Sequence, residues 1–169
     1  MSSPTLQRIK ITMKRLNVTQ VKPNPSGRDR LGNYVPFSQL AGEWVDFKNI
    51  GDESFSLNSI ELQHVAYTPP YPNGVWEKVM GFSGNLGVGR IVRVHSGGEI
   101  PLESLSPEDF IGADYHLFTG NSYVWNNNRS DTPRLVLKQN GQTFEIDKAS
   151  YSAYPPEGKI LKRIGELLI

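Results

Sequence analysis

Cysteine is absent from this sequence. A disulfide framework and a thiolate metal site are therefore excluded, and a reducing compartment is compatible with the chain. No apolar run approaches the roughly 20 residues that a membrane-spanning helix needs. Residues 1–10 also lack the apolar core of a secretory signal. These absences lead us to expect a soluble, cytoplasmic protein that makes no contact with a membrane.

What the chain does contain is enough material for one globular domain. Hydrophobic residues make up 37% of its 169 residues, and charged residues make up 21%. That balance is too apolar for a disordered chain and too polar for a membrane protein. The 16 glycines and 12 prolines supply many turns between short elements. We therefore expect a single domain with its own core.

The charge is nearly balanced overall but uneven along the chain. The formal net charge is +1, so no global field draws the protein to nucleic acid or to a membrane. Residues 1–30 nevertheless hold seven basic side chains and one acid. This basic flank suggests an alternative function as a nucleic-acid-binding accessory protein, although no nucleic-acid-reading motif is present and short charge runs are usually solvated. Its candidate phosphate contacts are Arg8, Lys10, Lys14 and Arg15.

Short segments with alternating apolar and polar residues run through the chain. Val45 and Phe47 are predicted to face one side of a strand that covers residues 43–48. Asp46 is expected on the opposite, solvated side, since this alternation is typical of antiparallel sheets with one wetted face. Without helical crossovers between them, such strands predict a sandwich or a barrel. The alternation recurs in residues 60–63, 91–95, 134–138 and 143–147.

The clearest local signal is the dipeptide Asn140-Gly141. Both residue types tolerate a positive φ, which the two central positions of a type I′ turn require. The dipeptide separates two alternating runs, residues 134–138 and residues 142–147. It therefore predicts a β-hairpin between them.

The C-terminal residues show a different pattern. Residues 159–169 place apolar side chains at helical spacing, with Lys162 and Glu166 on the opposite side. We therefore expect a short C-terminal helix within residues 152–169. A helix of this length is marginal alone in water, so its apolar stripe is predicted to dock on the protein's own sandwich or on a second copy. The stripe forms the candidate partner-binding site and consists of Ile160, Leu161, Ile164, Leu167 and Leu168.

Three sequence blocks, in this order, resemble patterns of the lamin tail domain. The first, residues 42–53, contains Glu43-Trp44-Val45 and then Asn49-x-Gly51. The second, residues 89–97, contains Val92-x-Val94 and then Ser96-Gly97. The order and spacing of the blocks carry the resemblance. The third block consists of Val124-Trp125-Asn126-Asn127, Asp131, Leu135, Asn140-Gly141, Asp147 and Tyr151.

The resemblance implies an immunoglobulin-like antiparallel β-sandwich without a known active site, over residues 16–151. The basic flank, residues 1–15, precedes it with a pattern that fits either helix or strand, and the C-terminal helix of residues 152–169 follows. In nuclear lamins the domain contacts chromatin and envelope proteins, and in bacteria it is similar to an accessory module. This chain lacks the coiled coil and the prenylated cysteine of lamins, so a role in the lamina is not implied. We expect a non-catalytic scaffold or interaction module that binds a protein partner or itself.

The chemical motifs support the same interpretation. His64, His95 and His116 lie in separate predicted strands with no HxH or HxxxH spacing, which disfavours a metal site. In residues 81–85 the serine lacks the second glycine of a nucleophile elbow. The glycine-rich run of residues 84–89 matches neither phosphate-binding loop pattern. We therefore expect no cofactor, no metal and no catalytic residue, and we expect the strand-borne Trp125 to be a core residue.

Overall fold

A computed structural model of the chain describes residues 15–169. The predicted all-β sandwich is confirmed, and its strand arrangement is compatible with an immunoglobulin-like fold. Apart from Arg15, the basic flank lies outside the described residues, so the alternative between helix and strand for that segment stays open.

The larger sheet has six strands. They are β1 (Leu16–Lys22), β2 (Trp44–Asn49), β7 (Ile91–His95), β8 (Tyr115–Phe118), β11 (Leu161–Ile164) and β12 (Leu167–Leu168), in the order β12-β11-β1-β2-β7-β8. All neighbouring strands are antiparallel except β7 and β8, which are parallel. A parallel pair needs a crossover connection. Residues 96–114 supply it and contain a 3₁₀ turn (Leu102–Ser104) and a short helix, α2 (Pro107–Phe110).

The smaller sheet has four antiparallel strands. They are β4 (Ile60–Ala66), β5 (Val75–Gly81), β9 (Arg134–Gln139) and β10 (Gln142–Lys148), in the order β10-β9-β4-β5. A separate ribbon joins β3 (Phe55–Ser56) to β6 (Asn85–Leu86), and helix α1 (Phe37–Ala41) precedes β2. No helix within residues 15–169 is long and apolar enough to cross a membrane.

The hydrophobic core lies between the two sheets. Across β2 and β7, Val45 pairs with Val94 and Phe47 pairs with Val92, so the alternation of each strand turns its apolar side chains to the same face. Leu62 of β4 belongs to the same buried cluster. Burial of one such side chain stabilises the folded state by about 1.5–3 kcal/mol. The cluster therefore holds the two sheets together.

Two local predictions are confirmed by the backbone and the burial pattern. Asn140 and Gly141 have φ values of 51° and 73°, as a type I′ turn requires, and Gln139 pairs with Gln142 across the turn. Trp125 is buried in the core cluster.

The C-terminal helix predicted for residues 152–169 is wrong. These residues form a β-hairpin in which β11 pairs with both β12 and β1, so the larger sheet extends beyond residue 151 to Leu168. The turn lies between Ile164 and Leu167, and its first central residue, Gly165, has a φ of 64°. A type II′ turn has glycine at this position. Pairing with β1 overrides the weak helical preference of so short a segment.

The hairpin distributes the apolar residues over two faces. Leu161 and Leu168 are 7% and 1% exposed and belong to the core cluster. Ile164 and Leu167 form a cross-strand pair on the opposite face and are 65% and 55% exposed. The predicted continuous stripe therefore does not exist, because side chains alternate across a strand.

Leu167 and Leu168 give a matched test of this hairpin. Leu168→Ala removes a buried side chain and should lower the free energy of unfolding by about 2–5 kcal/mol. Leu167→Ala removes an exposed side chain and should change that free energy by less than about 0.5 kcal/mol. Urea denaturation at a protein concentration too low for self-association measures both values. Similar losses for the two variants would contradict the hairpin.

Candidate functional site

One buried carboxyl group connects all three sequence blocks. Glu43 immediately precedes β2 and is fully buried. Its Oε2 atom accepts a hydrogen bond from the backbone N–H of Val124 at 2.8 Å, and its Oε1 atom accepts one from Trp125 at 3.2 Å. The hydroxyl of Ser96 donates a third hydrogen bond to Oε2. Glu43 therefore fixes the segment before Trp125 against the larger sheet.

Burial also changes the protonation of Glu43. Loss of hydration raises the pKa of its carboxyl group to about 8, although the hydrogen bonds from Ser96, Val124 and Trp125 favour the charged form. A group with this pKa is mostly protonated at neutral pH. The protonated form suits a site with little contact with water, since burying an unpaired charge costs far more than burying a neutral acid.

A second buried carboxylate, that of Asp131, collects five hydrogen bonds. Its oxygens accept backbone N–H groups from Val65 at 2.8 Å, Asn126 at 3.0 Å and Thr132 at 2.7 Å. The side-chain amide of Asn126 donates at 2.8 Å, and the Nδ1 atom of His64 lies at 3.0 Å. Asp131 thus joins β4 to the segment that leads into β9.

Tyr151 and Asp147 connect the same region to the larger sheet. The Tyr151 hydroxyl donates to the backbone oxygen of Asn126 at 2.9 Å. The Asp147 carboxylate accepts the backbone N–H of Val18 at 2.7 Å and forms a two-pronged ion pair with Arg163 of β11. The polar residues of the third block therefore have architectural roles.

A groove of about 480 Å³ lies beside the Asp131 cluster. His64 of β4 stands in its wall, with Nε2 at 3.6 Å from a carboxylate oxygen of Glu77 on β5. Burial lowers the pKa of His64, but the hydrogen bond and charge of Asp131, together with Glu77, outweigh it, so the net shift is upward. The lining residues are His64, Ala66, Tyr67, Thr68, Glu77, Lys78, Val79, Asn121, Tyr123, Val124, Asn126, Asn128 and Arg129.

The groove does not assemble a nucleophile with a base. Both ring nitrogens of His64 face carboxylates, Nδ1 facing Asp131 and Nε2 facing Glu77. Within residues 15–169, no serine, threonine or tyrosine hydroxyl donates a hydrogen bond to this ring. A general base needs a free nitrogen within reach of the proton that it removes. His64 of β4 therefore links Glu77 of β5 to Asp131 in the segment before β9.

The other two histidines, buried His95 and half-buried His116, contact each other. His95 of β7 and His116 of β8 approach at 2.9 Å between Nε2 and Nδ1, and the Nδ1 atom of His95 lies at 2.5 Å from the backbone oxygen of Ala41. Burial lowers the pKa of His95 to about 4, and it also lowers that of His116. Across the portion of the chain that the structure covers, no group of three or more histidines and acids is arranged to hold a metal ion.

The predicted partner-binding residues are only partly accessible. Leu161 and Leu168 are core residues, Ile160 is half-buried, and Ile164 and Leu167 are exposed. Ile169, which the helical prediction left out, is 64% exposed, and strand alternation places it on the same face as Leu167. We call Ile164, Leu167 and Ile169 the outward face of the hairpin. In the sequence, the glycine of Ile164-Gly165-Glu166-Leu167 indicates a two-residue turn between two strands.

An apolar cleft of about 330 Å³ adjoins the outward face. Ile169 belongs to both, because its side chain is exposed and also lines the cleft. Tyr154, whose φ is 60°, presents its ring to solvent at the same place. The lining residues are Ser152, Ala153, Tyr154, Pro155, Pro156, Lys159, Ile160, Leu161, Leu168 and Ile169.

The candidate phosphate contacts are described only at Arg15. Its side chain is exposed, and its backbone oxygen accepts the N–H of Ile50 at 2.9 Å. Arg8, Lys10 and Lys14 lie outside the described residues, so phosphate binding stays a prediction.

Comparisons with known proteins add no family assignment. No protein-family model matches this chain, and no curated protein matches its sequence. The resemblance to the lamin tail domain therefore stays a prediction.

The raised pKa of Glu43 predicts a pH dependence of stability. The ordinary pKa of 4.5 applies to the unfolded chain, whereas the folded value is about 8. Between these values Glu43 holds its proton in the folded state and loses it in the unfolded state, so the contribution of this group to the free energy of unfolding should fall as pH rises from 4.5 to 8. The contribution of this group has a slope of at most about 1.4 kcal/mol per pH unit.

The variant Glu43→Gln isolates this contribution. In urea denaturation across the same pH range, the free energy of unfolding of the wild type minus that of the variant should fall as pH rises, because the contributions of the other titrating groups cancel in this difference. Glu99→Gln, which changes an exposed acid, serves as the control and should follow the wild-type curve. Parallel curves for wild type and Glu43→Gln would contradict a protonated buried Glu43.

Proposed function

We propose that this chain is a non-catalytic interaction module of the lamin-tail type, which associates with a second copy of itself through the C-terminal hairpin. The observation that carries the proposal is the outward face, where Ile164, Leu167 and Ile169 lie side by side on paired strands and are each more than half exposed. Clustered aliphatic exposure at one place on a surface is typical of a contact site, whereas scattered exposure is not.

The neighbourhood of the outward face favours a second copy as the occupant. A two-fold interface uses the same patch on both molecules, so protruding side chains and a receiving cleft must lie close together. The outward face supplies the protruding side chains, and the cleft next to Ile169 supplies the receiving surface. Exposed Lys162 and Glu166 flank the patch with opposite charges, which a two-fold axis can bring opposite each other.

The contact must use side chains, because the backbone at this edge is already paired. Leu168 donates its N–H to the oxygen of Ser150 at 2.8 Å, and Ser150 donates to Glu166 at 3.0 Å. Ile169 and Lys162 exchange two further hydrogen bonds. A partner therefore cannot extend the sheet at β12 by strand addition, which requires free N–H and C=O groups.

The use of the buried acids supports a non-catalytic role. Glu43, Asp46, Asp109 and Asp131 are all buried, and each receives hydrogen bonds from within the protein. An active site instead leaves its acids and bases oriented towards a place where a substrate can bind. The buried acidic side chains thus already have hydrogen-bond partners within the protein.

The family part of the proposal is supported by the way in which the three blocks meet. Glu43 of the first block contacts Ser96 of the second and Trp125 of the third. Asn126, Asp131 and Tyr151 of the third block belong to one hydrogen-bonded cluster. Blocks that share one polar core are expected to occur together as a unit.

Light scattering coupled to size exclusion tests the proposal. The wild-type mass should rise with concentration from the 18.9 kDa of one chain towards twice that value. The double variant Ile164→Ser, Leu167→Ser should remain at the mass of one chain, because it removes the apolar contact and keeps the buried Leu161 and Leu168.

The matched control changes two exposed aliphatic residues elsewhere. Val88→Ser, Ile111→Ser removes side chains that are exposed to a similar degree, and it should associate like the wild type. A wild-type mass of one chain at every concentration would contradict self-association. Equal loss of association in both double variants would contradict the assignment of the surface.

A further inference from the structure

A polar cluster around Lys22 lies on the outer face of the larger sheet. Lys22 ends β1, and its side chain is 3% exposed. The Nζ atom lies at 2.7 Å from Oδ1 of Asp109 and at 2.5 Å from Oε1 of Glu108, both in α2. The crossover that contains α2 is held on this face by Arg93, which donates to the backbone oxygens of Glu108, Asp109 and Ile111.

Neutral donors hold both oxygens of the Asp109 carboxyl group. The Nε1–H of Trp44 donates to Oδ1 at 2.7 Å, and the Ser106 hydroxyl donates to Oδ2 at 2.6 Å. Asp109 is buried, and Trp44 is completely buried with the Arg93 guanidinium stacked over its ring at 3.6 Å. An amine and a carboxyl group are therefore held in direct contact within the fold.

We infer that Lys22 and Asp109 condense into an intramolecular amide cross-link. An amide forms from an amine and a carboxyl group by loss of water, and Lys22 and Asp109 hold these two groups in direct contact. Two groups held in this way avoid the entropic cost of a bimolecular encounter. They can therefore form an amide without an added reagent.

The reaction balances with the groups present. The Lys22 ammonium first transfers one proton to Oδ1 of Asp109, which it contacts at 2.7 Å, and this gives an amine and a carboxylic acid. The Nζ lone pair then forms a bond to Cγ, and the negative charge develops on Oδ2. When the carbonyl re-forms, the Cγ–Oδ1 bond breaks and Oδ1 leaves as water with a second proton from Nζ. The products are one amide and one water molecule.

Two neighbours suit the steps of this reaction. The Glu108 carboxylate, in hydrogen-bond contact with Nζ, takes the second proton from the attacking nitrogen and delivers it to the departing oxygen. The Ser106 hydroxyl donates to Oδ2, where the charge develops, and stabilises it. A cleft of about 400 Å³ that Lys22, Ser106, Glu108 and Asp109 line gives the released water a way out.

The cross-link would join β1 to the crossover between β7 and β8. It closes a long loop between residues 22 and 109, and such covalent closure restricts the unfolded chain. The chain contains no cysteine and so has no disulfide bond. The amide would be a covalent cross-link that does not depend on redox conditions.

Mass spectrometry of the denatured, purified protein tests the inference. The intact mass should be lower than the mass of the sequence by one water molecule. Trypsin should release residues 16–28 joined to residues 94–129, since Lys22 precedes proline and neither segment contains another cleavage site. Fragmentation should place the junction at Lys22 and Asp109.

Two variants separate the amide from other losses of water. Lys22→Arg retains the charge but has no amine nucleophile, and it should show the full sequence mass. Asp109→Asn should give the same joined peptide with loss of ammonia instead of water. A wild-type protein with the full sequence mass and separate peptides would overturn the inference. So would a loss of water that persists in Lys22→Arg, because it would arise from cyclisation at an aspartate.

Discussion

The hydrogen bonds that the buried Asp131 carboxylate accepts hold the surrounding segments of the fold in place. Three backbone N–H groups, the amide of Asn126 and the ring of His64 all donate to it. A buried charge is stable only while such partners surround it. The segments that supply the donors are therefore held together, and with them one wall of the groove. Through Asn126 and Tyr151 the same cluster fixes the chain as it leaves the smaller sheet and returns to the larger one.

Buried polar residues hold loops and the crossover in place, whereas a group of aliphatic residues is exposed on the C-terminal hairpin. Glu43 and Asp131 fix the loops at the ends of the sandwich, and Lys22 with Asp109 holds the crossover on the outer face of the larger sheet. These polar groups are bonded to one another or to the backbone within the fold. The outward face of the C-terminal hairpin is different, because its aliphatic side chains are paired with each other and covered by nothing within residues 15–169.

The sequence predicts the parts of this structure that depend on local rules. Alternation identifies the core face of β2 and β7, and the Asn140-Gly141 dipeptide identifies its hairpin, because both depend on neighbouring residues. The C-terminal residues were mispredicted because an eleven-residue apolar pattern fits a helix and a hairpin, and pairing with the distant β1 decides between them. Asp46 does lie opposite the core, but it is buried rather than solvated, since Arg93 and the crossover cover it. No local pattern reveals that cover.

The free energy of unfolding of the variant Asp131→Asn tests whether this carboxylate organises the fold. This variant keeps the shape of the side chain but replaces one carboxylate oxygen with an amide NH₂ group, which cannot accept a hydrogen bond. At least two donors therefore lose their acceptor. We expect a loss of about 3–5 kcal/mol in urea denaturation at neutral pH, because one member of a buried charged network is removed. A loss below about 1 kcal/mol would contradict the claim that this carboxylate organises the fold.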